Sequence, residues 1–378
     1  KDDSVLGDTN NDGAASVPAP GDWNSLLGGF TTLTLTRLTA RYGGATGAMI
    51  SDGAFSGPAI ITLSSSTLSR SAGAGLKASV SGSSYLVKNS QLVDNAGHGL
   101  DSAGTIILED SESSRNVGAG LRLAAANPAA VRRSTLAANG SHGVNGGGYQ
   151  GTLTLADSRL SGNAGSALSM NIGAGYQGGG NSAAANAVNG IEVGPNSINQ
   201  ALTWRNVGLP YVVRDGNVGV GGGNTWTLEA GVTVKLLNAG LVKTSGLFEA
   251  RGTEAAPVVL TSLKDDSVLG DTNNDGAASV PAPGDWNAVL GGFTTLSLTR
   301  LTARYGGATG PMISDGAGGG QAVITLSSST VRQSATTGIA ATQGASAVNI
   351  RRSLIVGNVV FGARNNVGAA FDARENWW

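Results

Sequence analysis

The feature that most constrains this chain is a repetition that runs through it at two scales. Residues 1–54 recur at 264–317, an offset of 263 residues, and similarity continues more loosely between 59–76 and 322–339. The two copies of the 54-residue segment differ at four places: Ser25 becomes Ala288, Leu26 becomes Val289, Thr34 becomes Ser297 and Ala48 becomes Pro311. Self-similarity at a fixed period is typical of repeat architectures. The sequence therefore contains one long unit and the start of a second copy.

A shorter period of 21–24 residues, centred on serine, runs inside each copy; the motif serines are Ser66, Ser90, Ser111, Ser134, Ser158, Ser329 and Ser353. An apolar residue lies three positions before each serine, and most are followed five positions later by an asparagine: Asn95, Asn116, Asn139, Asn163 and Asn358. Such short runs cannot bury an apolar face alone, whereas the stacked coils of a parallel β-solenoid bury it. The period predicts an all-β solenoid with 21–24 residues per coil and a ladder of stacked asparagines.

The charge content restricts the classes of partner. Only 13% of the residues are charged and the formal net charge is -1, so the chain offers no general electrostatic attraction for nucleic acid. The apolar runs fall far short of the roughly 18 residues of a spanning helix, so we expect no membrane span. The absence of cysteine excludes a disulfide framework. Charges alternate in sign along the predicted columns, as at Lys88, Glu109 and Arg132, which favours exposed ladders that support the register.

An acidic loop occurs once in each copy, as DTNNDG at 8–13 and again at 271–276. Oxygen-bearing side chains at positions 1, 3 and 5, with glycine at 6, suit a hard cation such as Ca²⁺. The glutamate that an EF-hand places at position 12 is replaced by alanine, so a nearby aspartate has to substitute. The predicted ligands are Asp3, Asp8, Asn10, Asp12, Ala14 and Asp22 in the first copy, and Asp266, Asp271, Asn273, Asp275, Ala277 and Asp285 in the second. The alternative is a plain Asx-rich turn without metal.

These patterns divide the chain into three parts. Residues 1–172 form a first β-helix segment with a calcium-like loop at 2–22. Residues 173–190, rich in Gly, Asn and Ala, carry no repeat landmark and are expected to be an excursion, a flexible joint or a junction. Residues 191–378 form a second β-helix segment, in which the second unit starts at 264 and its calcium-like loop spans 265–285.

Residues for catalysis are sparse. His98 and His142 occupy the same predicted corner two coils apart, roughly 10 Å, which is too far for a shared metal. No nucleophile and base are brought together by the register. Glycoside cleavage needs two facing carboxylates, and the acidic clusters are better explained by metal binding. We therefore expect no catalytic residues and keep a polysaccharide-active module as the alternative.

The sequence also resembles a known family through the stretches VVLTSLKDDSVLGDTNNDG, PAPGDW, LTRLTARYGG and the terminal FDARENWW. These resemble right-handed parallel β-helix repeat proteins, which are large secreted or cell-surface proteins of bacteria. The resemblance implies a right-handed coil and an extracellular location. Segments of that family end in Asn-Trp-Trp-Gly, matched here by Asn376, Trp377 and Trp378 without the glycine, so we expect an excerpt truncated at its C-terminus. The family is similar in fold to pectate lyases, but no matching catalytic set is found.

Together these observations predict a non-enzymatic structural or adhesive rod, a tandem-repeat segment of a bacterial surface protein, adhesin or filament stabilised by calcium. Its expected partners are further copies of itself end to end or adjacent repeat units, and cell-surface glycans. The alternative is a carbohydrate-binding or polysaccharide-cleaving β-helix module.

Overall fold

The computed structural model describes residues 2–13, 15–53 and 57–378, which form two compact units. Unit 1 comprises Lys1–Ser169 with Gly178–Ala187, and unit 2 comprises Met170–Gln177 with Val188–Trp378. The secondary structure of the described residues is almost entirely short β-strand, apart from one 3₁₀ turn at Ala317–Gly319. Within each unit the strands pair in parallel with strands about one coil away. The β-solenoid predicted from the serine period is therefore confirmed.

Unit 1 is built from three parallel β-sheets, and each successive coil adds one strand to a sheet. Sheet A contains β1 (Leu26–Leu27), β4 (Ile50–Ser51), β7 (Leu76–Ala78), β10 (Leu100–Ser102), β13 (Leu121–Leu123) and β16 (Val144–Gly146). Sheet B contains β2 (Thr32–Thr36), β5 (Ile60–Ser64), β8 (Ser84–Lys88), β11 (Thr105–Glu109), β14 (Ala129–Arg132) and β17 (Thr152–Ala156). Sheet C contains β3 (Thr39–Arg41), β6 (Thr67–Ser69), β9 (Gln91–Val93), β12 (Glu112–Ser114), β15 (Thr135–Ala137), β18 (Arg159–Ser161) and β21 (Ser182–Ala184).

The core of unit 1 consists of apolar columns. Along sheet B, Leu63 pairs with Val87, Val87 with Leu108, and Leu108 with Val131, and all four side chains are fully buried. Their neighbours along each strand point outward, because successive side chains of a strand face opposite sides. The residue three positions before each motif serine therefore lies inside the coil, as the period predicts.

Polar ladders close the corners of unit 1. The amide of Asn116 donates from Nδ2 to Asn139 Oδ1 at 3.0 Å, and Asn139 donates in the same way to Asn163 at 2.9 Å. At the preceding corner, the motif serines that follow Ser66 in unit 1 each accept the backbone N–H of the motif serine one coil earlier, as Ser90 does from Ser66 at 3.1 Å. The corner glycine Gly99 is required for space, since a Cβ there would lie 1.9 Å from Ser113 Oγ. The predicted asparagine ladder is present.

Unit 2 is built from two sheets. Sheet D contains β22 (Val188–Val193), β25 (Tyr211–Arg214), β28 (Thr233–Leu237), β30 (Val258–Ser262), β32 (Leu301–Arg304), β35 (Thr330–Arg332) and β38 (Leu354–Val356). Sheet E contains β23 (Ser197–Ile198), β26 (Val218–Val220), β29 (Leu241–Arg251), β31 (Val289–Thr299), β33 (Ile313–Ser314), β36 (Thr337–Ala341) and β39 (Phe361–Asn365), together with β24 (Leu202–Trp204), β27 (Thr225–Leu228), β34 (Ala322–Ser327), β37 (Ala347–Arg351) and β40 (Ala370–Asp372).

Aromatic side chains fill the core of unit 2 near its start. Trp204 stacks on Tyr211 at 4.5 Å between ring centroids and meets Trp226 edge-to-face at 5.3 Å. Trp226 in turn meets Phe248 edge-to-face at 5.1 Å. Both tryptophans are fully buried. They are core residues, so they cannot serve as the sugar-stacking surface of a glycan site.

The segment 173–190 contains regular structure. β20 (Gly175–Gly179) lies within it, as do β21 and the start of β22, and β19 (Ser166–Met170) precedes it. Asn186 continues the asparagine ladder, since its Oδ1 accepts Asn163 Nδ2 at 2.7 Å. The division between the two units falls in this part of the chain. The repeat landmark that the sequence pattern did not reveal is therefore Asn186.

Candidate metal centre

The first acidic loop is folded by its own side chains. The carboxylate of Asp8 accepts the backbone N–H groups of Asp12 at 3.1 Å and Gly13 at 2.7 Å, which bends the chain around it. Asn10 donates from Nδ2 to Asp12 Oδ2 at 2.7 Å. Gly13 has a φ of 66°, the left-handed conformation that glycine adopts without strain. The loop is therefore closed by hydrogen bonds to one oxygen of Asp12 and to both of Asp8.

The second loop repeats this geometry. Asp271 accepts the N–H groups of Asp275 at 3.2 Å and Gly276 at 2.8 Å, and Asn273 donates to Asp275 Oδ2 at 2.8 Å. Gly276 has a φ of 67°. The same sequence thus forms the same turn in both units, although its surroundings differ.

Each loop gathers three carboxylates. In the first, Asp3, Asp8 and Asp12 place ligand oxygens within 4.8 Å of one another, and in the second Asp266, Asp271 and Asp275 do the same. Several oxygens of these clusters are buried without a hydrogen-bond donor: Asp3 Oδ1, Asp12 Oδ1, Asp266 Oδ1, Asn273 Oδ1 and Asp275 Oδ1. A buried oxygen without a donor is costly, because it has lost water and gained nothing. A divalent cation is the partner that would satisfy several such oxygens at once.

The electrostatics of the second cluster also favour a bound cation. Burial raises the pKa of Asp266, and the neighbouring carboxylates Asp271, Asp275 and Asp265 raise it further, against the opposing influence of Lys235. Like charges brought together in this way favour a positive ion among them.

The other predicted ligands lie elsewhere. Asp22 accepts the backbone N–H of Ala19 at 2.9 Å and is outside the first cluster. Asp285 accepts Lys264 Nζ at 2.7 Å and Ser262 Oγ at 2.6 Å, so its carboxylate is neutralised by lysine and belongs to neither cluster. Asp3 and Asp266, from the Asp-Asp pair before each loop, supply the third carboxylate instead. Ala14 lies outside the described residues, while Ala277 is exposed in the second loop.

The first aspartate of each Asp-Asp pair anchors the loop. Asp2 forms an ion pair with Arg41 at 2.7 Å, and the equivalent Asp265 pairs with Arg304 at 2.6 Å. Each arginine ends a strand of the coil that follows the loop, β3 in unit 1 and β32 in unit 2. The two adjacent aspartates therefore differ in role. Asp2 and Asp265 form an ion pair with the following coil, whereas Asp3 and Asp266 belong to the carboxylate clusters.

Two residues near the second loop were not found from the sequence. Lys235 in β28 is buried and donates from Nζ to the Gly270 carbonyl at 2.7 Å. Its pKa is lowered to about 8, chiefly by burial, while Asp265, Asp266 and Asp271 oppose the shift. Asn189 in β22 donates from Nδ2 to the Asp271 carbonyl at 2.8 Å. The only sequence signal for Lys235 was a lysine within the apolar run VTVKLL. That run has the alternation of inward and outward residues of an ordinary strand, so it did not indicate a contact with the loop.

A polar groove of about 660 Å³ lies on unit 1 where sheets B and C meet. Its acidic groups include Asp110, which pairs with Arg133 at 2.7 Å, and Glu112, which lies 3.5 Å from Arg115. The hydrogen bond from Arg133 holds the pKa of Asp110 below its usual range. The Asp110–Arg133 pair is a rung of the alternating charge ladders expected from the sequence, whereas the Glu112–Arg115 pair lies within one coil.

Comparison with known protein families gives a match over part of the chain. Residues 26–203 match the family model described as the right handed beta helix region. No curated protein and no solved structure gives a significant match. Within the described residues, no helix is long and apolar enough to cross a bilayer.

Proposed function

Since this chain is a right-handed parallel β-helix protein, we propose that it is a non-enzymatic structural module of an extracellular, bacterial cell-surface protein, and that its two acidic loops bind Ca²⁺. The observation that carries the proposal is the pair of clusters: the same three aspartates converge in both copies, with buried oxygens that lack donors. A feature that is built twice in one chain serves each repeat rather than a single active centre.

The ligand chemistry favours calcium among the metals. The clusters offer carboxylate and amide oxygens, and the chain contains no cysteine. Ca²⁺ accepts six to eight oxygen ligands in irregular geometry, whereas Zn²⁺ prefers nitrogen and sulfur. Calcium is abundant outside cells, where sites of moderate affinity remain filled. This chemistry supports the extracellular location implied by the family resemblance.

The proposed structural role rests on how one coil supports the next. Trp286, which leads into β31, is fully buried, and its Nε1 donates to the Arg304 carbonyl at 2.9 Å. Its counterpart Trp23 is 38% exposed although the surrounding sequence is the same. In unit 2 the residues on either side of this tryptophan are bonded to the preceding coil: the Asn238 N–H donates to the Asp285 carbonyl at 2.9 Å, and the Asn287 N–H donates to the Ala239 carbonyl at 2.7 Å. The start of a repeat therefore fits the end of a similar repeat, which supports further copies or adjacent repeat units as partners.

The rival function is carbohydrate binding, for which the polar groove of unit 1 is the candidate surface, with cell-surface glycans as ligands. Cleavage needs a carboxylic acid that stays protonated near neutral pH. In the groove, the pKa of Asp110 is instead lowered, first by the hydrogen bonds from Arg133. The groove therefore favours binding over hydrolysis, and a glycan array with a reducing-sugar assay would separate the two.

Calorimetry on the full chain tests the calcium proposal. We expect two bound Ca²⁺ per chain, and stabilisation by about 2.7 kcal/mol for each site when free calcium is 100 times the dissociation constant. Asp12→Asn and Asp275→Asn should each remove one site, and EDTA should lower the melting temperature. An absence of binding heat, together with a melting temperature that EDTA leaves unchanged, would overturn the proposal.

A further inference from the structure

The segment 264–287, here called the strap, crosses the outer face of the coils that precede it in unit 2. Three consecutive strap carbonyls accept hydrogen bonds from that face. Gly270 O accepts Lys235 Nζ at 2.7 Å, Asp271 O accepts Asn189 Nδ2 at 2.8 Å, and Thr272 O accepts the backbone N–H of Asn189 at 2.7 Å. Asn189 and Lys235 belong to β22 and β28, and the intervening β25 supplies Val212. We call the three residues Asn189, Val212 and Lys235 the seat.

The strap buries a surface that an uncovered coil would expose. In β25, Tyr211 and Val213 face the core, yet Val212 between them is also fully buried. Val212 packs with Val188 and with Leu263, which immediately precedes the strap. Because strand side chains alternate between faces, burial on both sides requires a second layer. Over Val212 that layer is Leu263, from which the strap continues.

The two ends of the strap are held independently of its middle. Near the start, Asp265 pairs with Arg304 at 2.6 Å, and near the end Trp286 Nε1 donates to the Arg304 carbonyl at 2.9 Å. Between these anchors lie the three clustered carboxylates of Asp266, Asp271 and Asp275. The part that rests on the seat is therefore the part that carries the cluster.

The positive charge of the seat is smaller than the negative charge of the strap that it faces. Lys235 is the seat residue with a cationic side chain, and it faces Asp265, Asp266 and Asp271. Asp265 is already paired with Arg304, so one ammonium remains near the carboxylates of the cluster. Charges held close together in a partly dehydrated site repel strongly unless a counter-ion joins them. A cation in the cluster would remove the repulsion that opposes seating.

We propose that Ca²⁺ in the second loop fastens the strap to its seat, and that loss of the ion releases the strap between its Arg304 anchors and uncovers Asn189 in β22 and Lys235 in β28. This rests on the proposed calcium site and adds its consequence. Binding and seating are linked reciprocally, so seating strengthens calcium binding by the same factor by which calcium strengthens seating. The seat is an interaction surface whose partner is the metal-bearing loop of the following repeat.

The first loop provides an internal control. It has the same sequence, but Leu6 is 93% exposed where Leu269 is 51% exposed, and Thr9 is exposed where Thr272 is buried. Calcium in the first loop should therefore order that loop without changing the protection of the seat.

The test is amide hydrogen exchange on the full chain, with calcium and with EDTA, alongside calorimetry. The reporter is the Asn189 amide, because it donates directly to Thr272 O. We expect calcium to slow its exchange at least tenfold in the wild type and in Asp12→Asn, and to have no effect in Asp275→Asn. Asn189→Ala, which deletes one side-chain bond to the strap, should weaken the second site about fivefold and leave the first unchanged.

Two results would overturn the strap mechanism. One is calcium binding to both loops without any change in Asn189 exchange in the wild type. The other is an Asn189→Ala chain whose second site binds as tightly as before. Neither result touches the calcium sites themselves, whose failure would appear separately as an absence of binding heat. The wild-type comparison needs no variant, so it decides the question even if a substituted chain folds poorly.

Discussion

His98 Nδ1 accepts a hydrogen bond from the backbone N–H of Ala119, 2.8 Å away in the next coil. His142 does the same two coils later, accepting the N–H of Ser166 at 2.9 Å. An imidazole can accept at Nδ1 only while that nitrogen carries no proton. The stacking of unit 1 therefore favours the neutral form of His98, and both histidines lie half-buried between coils.

This geometry predicts that acid destabilises unit 1. The pKa of His98 lies below its ordinary value of 6.5, first because of burial, although Asp101 opposes the shift. The unfolded chain therefore takes up a proton at a higher pH than the folded chain, so the stabilisation is complete above about 6.5 and is lost as pH falls through the folded pKa. The effect should be on the order of 1 kcal/mol for His98, the contribution of one hydrogen bond.

Thermal unfolding between about pH 8 and about pH 5.5 measures this dependence. The double variant His98→Ala and His142→Ala should be less stable at the upper pH but should lose most of the slope. A slope that the double variant retains in full would assign the pH dependence to other groups.

The asparagine ladder predicts an unequal response to two asparagine substitutions. Asn139→Ala removes the acceptor for both the backbone N–H of Asn116, at 3.1 Å, and its Nδ2, at 3.0 Å. It also removes the donor to the Ser113 carbonyl. Buried groups left without partners cost about 1–3 kcal/mol each, so we expect a loss of at least about 2 kcal/mol in chemical denaturation. Asn145→Ala, outside the ladder, should change stability by less than about 0.5 kcal/mol.

The columns and the ladder could be predicted from the sequence because they depend on a period of one coil. Leu63, Val87 and Leu108 recur at fixed intervals from the motif serines, and parallel stacking then places them together. The seat could not be predicted in this way, because Lys235 meets Gly270 only after the strap folds back over earlier coils. The sequence predicted Asp285 as a metal ligand because it follows the loop. In the structure its carboxylate instead accepts hydrogen bonds from Lys264 and Ser262.

The aromatic core of unit 2 predicts a large effect of one truncation. Trp226 is fully buried between Trp204 and Phe248, and Trp226→Ala should cost about 3–5 kcal/mol by leaving a cavity. Trp226→Phe should cost much less, since it keeps an aromatic ring and removes an indole N–H that has no acceptor among the described protein atoms. Urea unfolding followed by far-UV circular dichroism measures both. Equal losses would show that the ring contacts contribute little.

The duplicated loop offers a comparison of one ion pair in two environments. Asp265 and Arg304 pair at 2.6 Å with 2% and 11% of their side chains exposed, whereas Asp2 and Arg41 pair at 2.7 Å with 23% and 32% exposed. Asp265→Asn leaves the guanidinium of Arg304 buried beside a neutral amide, and breaking a buried pair from one side costs about 3–5 kcal/mol. Asp2→Asn leaves Arg41 in contact with water, so its effect on unfolding should be small.

Denaturant unfolding of both variants tests this difference, and Asp265→Asn combined with Arg304→Met separates the ion pair from packing. If the cost comes from an uncompensated charge, the double variant should regain part of the stability lost by Asp265→Asn, because no buried cation remains. A double variant as unstable as the sum of its single changes would mean that Asp265 acts through its bonds to Ser267 and Thr261 instead. The strap would then be anchored by neutral hydrogen bonds, and its seating should depend little on ionic strength.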